Sequence, residues 1–212
     1  MHQILVYADS LSWGIIPDTR RRLGFEQRWP GVLEKNLLEA GVSVRVIEDC
    51  LNGRRTVWDD PYKPGRNGLE GLEQRIEINS PLSLVVMLLG TNDFQSMHKF
   101  NAWQSAQGVK TLVGAIRRAP IEPGMPVPPI MLVAPPKIQK AKGNIAPKFE
   151  GAESKAVGLS AAIAAVAEEC ECHFFDAGLV TPTSRIDGVH LDEDQHYELG
   201  TALAKAIQPL VS

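Results

Sequence analysis

Residues 84–93 read Leu84-Val85-Val86-Met87-Leu88-Leu89-Gly90-Thr91-Asn92-Asp93, six apolar residues followed by a glycine and a polar trio. A strand with one wet face alternates apolar and polar residues, so an unbroken apolar run of this length suits a strand covered on both faces by helices. Residues 4–7, Ile4-Leu5-Val6-Tyr7, repeat the pattern. The pair points to a central parallel sheet. Three further strand-length runs occur at 42–47, 130–133 and 173–175, each bounded by Gly, Pro, Asn or Asp.

Between these runs, apolar residues recur at helical spacing over 29–40, 69–78, 102–118, 152–170 and 192–210, as in Val32, Leu33, Leu37 and Leu38, or Val109, Leu112, Val113 and Ile116. Strand and helix alternate. With right-handed crossovers this predicts an α/β protein, a flavodoxin-like three-layer α/β/α sandwich around a five-stranded parallel sheet. In such folds ligands bind at the C-terminal ends of the strands. The long irregular stretches 52–68 and 135–151 are expected to form pocket walls, lids or subunit contacts.

The 212 residues carry 22 Lys+Arg against 25 Asp+Glu, a net charge of −3, and are 44% apolar. Such a chain reads as one domain over 1–212 and excludes disordered and fibrous classes. The one basic cluster, Arg20-Arg21-Arg22, is too short for a phosphate footprint, so no nucleic-acid partner is expected. Cys50, Cys170 and Cys172 form neither an even framework nor a Cys-x-x-Cys pair, which fits a reducing compartment. The N-terminal run has no basic flank or long apolar region, and residues 84–89 are far too short to span a bilayer. The expectation is a cytoplasmic protein without a membrane partner.

Chemistry is sought at the strand ends. The first strand leads into Ala8-Asp9-Ser10-Leu11, placing a serine at the sheet rim, although Asp-Ser is equally an ordinary helix cap. The third leads into Gly90-Thr91-Asn92-Asp93, where an Asn amide offers uncharged donors suited to an oxyanion, or else a simple turn. Near the C-terminus, Asp187-Gly188-Val189-His190 puts a carboxylate three residues before an imidazole, so Nδ1–H can be held and Nε2 left as a base. Its plain alternative is a loop histidine with a salt partner. His98 and His196 sit in polar sequence surroundings.

Taken in order, these blocks resemble the SGNH (GDSL-type) hydrolase superfamily over nearly the whole chain. Arg28-Trp29, Leu51-Asn52-Gly53-Arg54-Arg55-Thr56, Asp59-Asp60-Pro61 and Arg66-Asn67-Gly68 are similar to its bacterial arylesterase and acyltransferase branch. The resemblance implies a serine esterase acting on short-chain acyl and aryl esters, with possible transfer to alcohols. Ser10 would be the nucleophile, His190 the general base and Asp187 its orienting carboxylate. Oxyanion donors would be the backbone N–H groups of Ser10 and Gly53 and the side chain of Asn92. It also implies a small-molecule ester as partner, no cofactor, and homo-oligomers, octamers included. Ala8 stands where the family pattern has glycine, a mild change if φ is negative there and a strained one if it is positive.

Leu11, Trp13, Ile15, Phe94 and Val189 are the candidates for a largely apolar pocket, with core packing the plain alternative. Thioesterase, lysophospholipase and carbohydrate acetylesterase activities remain alternatives, as does a flavodoxin-like module that binds without reacting. That module would lack the usual glycine-rich phosphate cradles. Metal-dependent hydrolysis could draw on Asp187, His190, Asp192, Asp194 and His196. The acids at 192–194 read more simply as the negative first turn of the last helix, so no metal is expected.

Overall fold

The structure is a computed structural model that describes residues 1–19 and 21–211, leaving Arg20 of the basic triplet outside. Five strands, β1 (His2–Ala8), β2 (Val44–Cys50), β3 (Leu84–Leu88), β4 (Ile130–Ala134) and β5 (His173–Asp176), form one sheet ordered β2-β1-β3-β4-β5, every pair parallel. Among the described residues the α-helices are α1 (Ser10–Trp13), α2 (Trp29–Glu39), α3 (Leu72–Asn79), α4 (Ala102–Arg118), α5 (Ala152–Lys155), α6 (Leu159–Glu169) and α7 (Glu193–Ile207).

The unbroken apolar runs have the expected cause. Ile4, Val6 and Ala8 face a core built with Trp29, Leu33 and Leu37 of α2 and Leu199 and Leu203 of α7. Leu5 and Tyr7 face the opposite core, with Leu72 and Ile76 of α3, Val109 and Leu112 of α4 and Ile163 of α6. In β3, Leu84 and Val86 join the first core, and Val85 and Met87 the second. A fully buried Leu or Val contributes about 1.5–3 kcal/mol over an exposed one, so neither face tolerates a polar residue.

Several boundaries differ from the sequence reading, among them the helix expected over 69–78, which runs Leu72–Asn79. Val42 does not begin β2 because its N–H closes the end of α2 on the Leu37 carbonyl, while the strand runs on through Glu48 and Asp49. Those acids are held at the sheet edge by ion pairs from Arg28 to Glu48 and from Arg54 to Asp49. The expected helix 152–170 is two helices, since Gly158 with φ +87° breaks it as only glycine does without strain. The last helix ends at Ile207 and passes into a 3₁₀ turn, Gln208–Leu210.

From β1 the chain passes to β2 on one side and later to β3 on the other, so the order in which strands are added reverses between β1 and β3 while all stay parallel. That switch point is where a crevice opens in doubly wound sheets. Ala8 pairs with Cys50 and with Leu88, so the three strands end level and their following loops meet. Among the described residues no helix is long and apolar enough to cross a membrane.

Candidate active site

Ser10 opens α1 directly after β1, and the helix is capped by Asp9, whose Oδ1 accepts the Leu11 N–H at 2.9 Å. The helix is fastened below by Trp29, whose Nε1–H donates to Ser12 Oγ at 3.0 Å. Ala8 keeps extended strand backbone and is buried in the core, so its methyl group causes no strain. The mild alternative for that position holds.

His190 reaches Ser10 from the loop before α7. Its Nε2 lies 3.2 Å from Ser10 Oγ and its Nδ1 2.6 Å from Asp187 Oδ2. Asp187 Oδ1 also accepts the backbone N–H groups of Val189 and His190, each at 2.9 Å. Burial pushes the Asp187 carboxyl up, but the His190 hydrogen bond and charge and the two N–H donors outweigh it and hold its pKa below the ordinary value. An ionised Asp187 favours the tautomer with Nδ1 protonated, leaving Nε2 to accept from the serine hydroxyl.

The donors expected for an oxyanion converge on the same place. Ser10, Gly53, Asn92, Asp187 and His190 all line one cleft of about 260 Å³. Among the described residues neither the Ser10 N–H nor the Gly53 N–H meets an acceptor, so both remain available. Asn92 sits in the 3₁₀ turn Thr91–Phe94 after β3 and donates from Nδ2 to Asp9 Oδ2 at 2.8 Å. Burial raises the Asp9 pKa to about 6, against the opposing pull of the Leu11 N–H, His190, Asn92 and Arg54.

Two buried groups that sequence spacing does not reveal set the loops against each other. Asp93 accepts Thr56 N–H at 3.0 Å, Thr56 Oγ1 at 2.8 Å and Ser105 Oγ at 2.6 Å, tying the Gly53 loop to the Asn92 turn and to α4. Burial raises its pKa to about 6, with these donors opposing. Arg54 donates to the carbonyls of Ala8 at 3.0 Å and Asp49 at 2.5 Å, locking the ends of β1 and β2 beside Gly53.

Of the five residues expected to wall the pocket, only Ile15 lines the cleft. Leu11, Phe94 and Val189 are at most 1% exposed and belong to the two cores, because each faces inward from a turn whose polar neighbours face the cleft. Trp13 is half-buried and does not line the cleft, and the Arg22 guanidinium lies 4.6 Å from its ring centroid. The cleft is instead lined by polar and apolar groups in about equal measure. Asp18 and Thr19 enter from one loop, Asn52 and Lys63 from the second, and Asn144, Ile145, Lys148 and Phe149 from the third. The long stretches 52–68 and 135–151 are therefore walls of this cleft. Asp18 ties its own loop to the second of these stretches, accepting the Asn144 N–H at 3.2 Å.

The alternative metal set does not assemble. Asp192 caps α7 and accepts from Ser184 Oγ at 2.9 Å, and Asp194 accepts the Gln195 N–H at 2.9 Å. His196 is not in polar surroundings: it is fully buried, and its Nδ1 accepts the Trp29 N–H at 3.2 Å. Burial, then His190 and Arg28, lower its pKa to about 3, so it is neutral. Among the described residues no group of three or more His, Cys, Asp or Glu side chains could hold a metal ion. A larger apolar cleft of about 560 Å³, near Pro135, Val157 and Leu179, has no histidine in its lining.

Comparison with known proteins gives the family and agrees with the fold. No curated protein matches the sequence. An aryl esterase from M. smegmatis, whose native structure is known, shares 34% identity at a TM-score of 0.93, with 99% of this chain and 100% of that one covered. A carbohydrate acetylesterase from Sinorhizobium meliloti shares 32% identity at a TM-score of 0.93, with the same coverage. Residues 9–200 match the model of the GDSL-like lipase/acylhydrolase family, and this chain belongs to that family.

Proposed function

We propose that the chain is a serine carboxylic ester hydrolase that removes short acyl groups from small esters through an acyl-enzyme on Ser10. The observation that carries the reading is the buried line from Asp187 Oδ2 to His190 Nδ1 at 2.6 Å and from His190 Nε2 to Ser10 Oγ at 3.2 Å. A serine hydroxyl is a poor nucleophile until a base takes its proton. Nε2 receives that proton as Oγ attacks the ester carbonyl carbon, and Asp187 stabilises the imidazolium that forms. The carbonyl oxygen becomes an oxyanion facing the N–H groups of Ser10 and Gly53 and the Asn92 amide. Collapse expels the alcohol, which leaves with the proton from Nε2. Water, or a second alcohol, then repeats the sequence on the acyl-enzyme.

The mixed lining, with several polar side chains beside Ile15, Ile145 and Phe149, suits an alcohol part that carries hydroxyl groups as well as an aryl one. Asp18, Thr19, Asn52 and Asn144 offer acceptors and donors around the cleft mouth. Acetylated sugars therefore stand beside aryl acetates as candidate substrates, and the likeness to an aryl esterase and to a carbohydrate acetylesterase supports both. Homo-oligomeric assembly is part of the same proposal, and a monomeric mass in solution would refute it.

The test is hydrolysis of p-nitrophenyl acetate by the wild type and Ser10→Ala, with and without EDTA. Turnover that is lost in the variant and indifferent to chelator supports the reading. Equal rates for the two proteins would overturn it.

A further inference from the structure

A primary amide presents oxygen on one side and nitrogen on the other, and a half-turn exchanges them. An oxyanion donor built from Asn92 works in only one of those orientations. Its Oδ1 accepts from Gln95 Nε2 at 2.7 Å, and its Nδ2 donates to Asp9 Oδ2 at 2.8 Å. Gln95 is itself an amide with the same ambiguity, and its Oε1 accepts from Arg55 Nη2 at 2.5 Å. Arg55 has donors only, and an ionised Asp9 has acceptors only. The row Arg55, Gln95, Asn92, Asp9 thus has a single self-consistent direction.

We propose that Gln95 and Arg55 are positioning residues that hold the Asn92 amide with its N–H groups toward Ser10. The proposal rests on the reading of Asn92 as an oxyanion donor. Arg55, Gln95 and Asp9 are 0% exposed and Asn92 2%, so water does not compete for these bonds. Arg55 is anchored in turn, its Nη1 lying 2.8 Å from Asp60 Oδ2. Turning Asn92 over would set two N–H groups against each other at Gln95 and a carbonyl oxygen against the Asp9 carboxylate. The positive end of the row also polarises both amides, making the free N–H of Asn92 a stronger donor.

The test is a double-mutant cycle on p-nitrophenyl acetate, with Gln95→Glu and Gln95→Met made in the wild type and in Asn92→Ala. Gln95→Glu keeps an acceptor for Arg55 and so retains a folded protein if Gln95→Met does not; circular dichroism checks both. Removing one oxyanion donor costs about 10²–10³ in kcat, so misorienting it should cost about 10–100-fold with KM nearly unchanged. In the Asn92→Ala background the same substitutions should change kcat less than about threefold. An unaltered kcat in the single variants overturns the proposal, as does an equal drop in both backgrounds, which would mean that Gln95 acts elsewhere. If Asn92→Ala alone leaves kcat unchanged, the oxyanion reading fails and takes the proposal with it.

Discussion

Asp187 holds His190 at two points: its Oδ1 accepts the His190 backbone N–H at 2.9 Å, and its Oδ2 lies 2.6 Å from the ring Nδ1. The Asp-x-x-His spacing makes this possible, because one tight turn brings both atoms of residue 190 back over residue 187. The ring is fixed in position by the first contact and in tautomer by the second. Its far nitrogen then has one direction left to face, toward Ser10.

Replacing the carboxylate by an amide leaves the shape and loses the charge. Asp187→Asn should lower kcat by about 10³–10⁴, from the wrong tautomer and the unsupported imidazolium, with KM little changed. Steady-state kinetics on p-nitrophenyl acetate check this.

Gly188 has φ +80°, and a Cβ there would lie 2.6 Å from the Lys140 carbonyl oxygen. Left-handed backbone costs a non-glycine residue about 1–2 kcal/mol, and overpacking adds about 1–3 kcal/mol. Gly188→Ala should therefore destabilise the fold by about 2–5 kcal/mol in urea titration. It should also lower kcat, because the Gln139 N–H to Gly188 carbonyl and Lys142 N–H to Asp187 carbonyl bonds, each 2.9 Å, seat the loop that carries His190.

His196 is neutral in the fold, with its pKa lowered to about 3, whereas in the unfolded chain it takes a proton near the ordinary value of 6.5. Between those values the unfolded state binds more protons, so this group's contribution to stability is full above pH about 6.5 and declines as pH falls toward 3. From pH 6.5 to 5 the wild type should lose on the order of 1–2 kcal/mol more than His196→Gln, at about 1.4 kcal/mol per pH unit. Chemical denaturation of the two proteins at both pH values measures the difference.

A cleft of about 260 Å³ limits the acyl chain by its size. Along a p-nitrophenyl ester series, kcat/KM should be highest at acetyl to butyryl and fall at least about tenfold by octanoyl, since each methylene that cannot be buried forfeits about 0.8 kcal/mol. A preference for long chains would point to a lysophospholipase or thioesterase reaction instead.

The sheet is legible in the sequence because burial on both faces leaves its mark from Ile4 to Ala8 of β1 and throughout β3, as Ile4 to one core and Leu5 to the other show. The places of Ser10, Asn92 and His190 are legible because each follows a strand end or precedes a helix, where polar residues interrupt apolar runs. The pocket is not. Which way Leu11, Phe94 or Val189 points within a turn depends on one or two backbone angles that composition does not record. The cleft walls come from loops such as 143–149, whose residues meet Ser10 only through tertiary contacts like that between Asp18 and Asn144. Gln95 stands three residues after Asn92, a spacing that a 3₁₀ turn turns into contact, but its other partner, Arg55, is 40 residues distant. No local pattern carries that pairing.

The central claim is that Ser10 is the nucleophile, and covalent capture tests it most directly. The protein would be treated with a p-nitrophenyl alkylphosphonate, digested, and the modified peptide sequenced by mass spectrometry. The account predicts one phosphonyl group per chain, on Ser10, with release of p-nitrophenol in step with loss of esterase activity and labelling abolished in Ser10→Ala. Labelling of another residue, or inactivation that proceeds equally in Ser10→Ala, would contradict it.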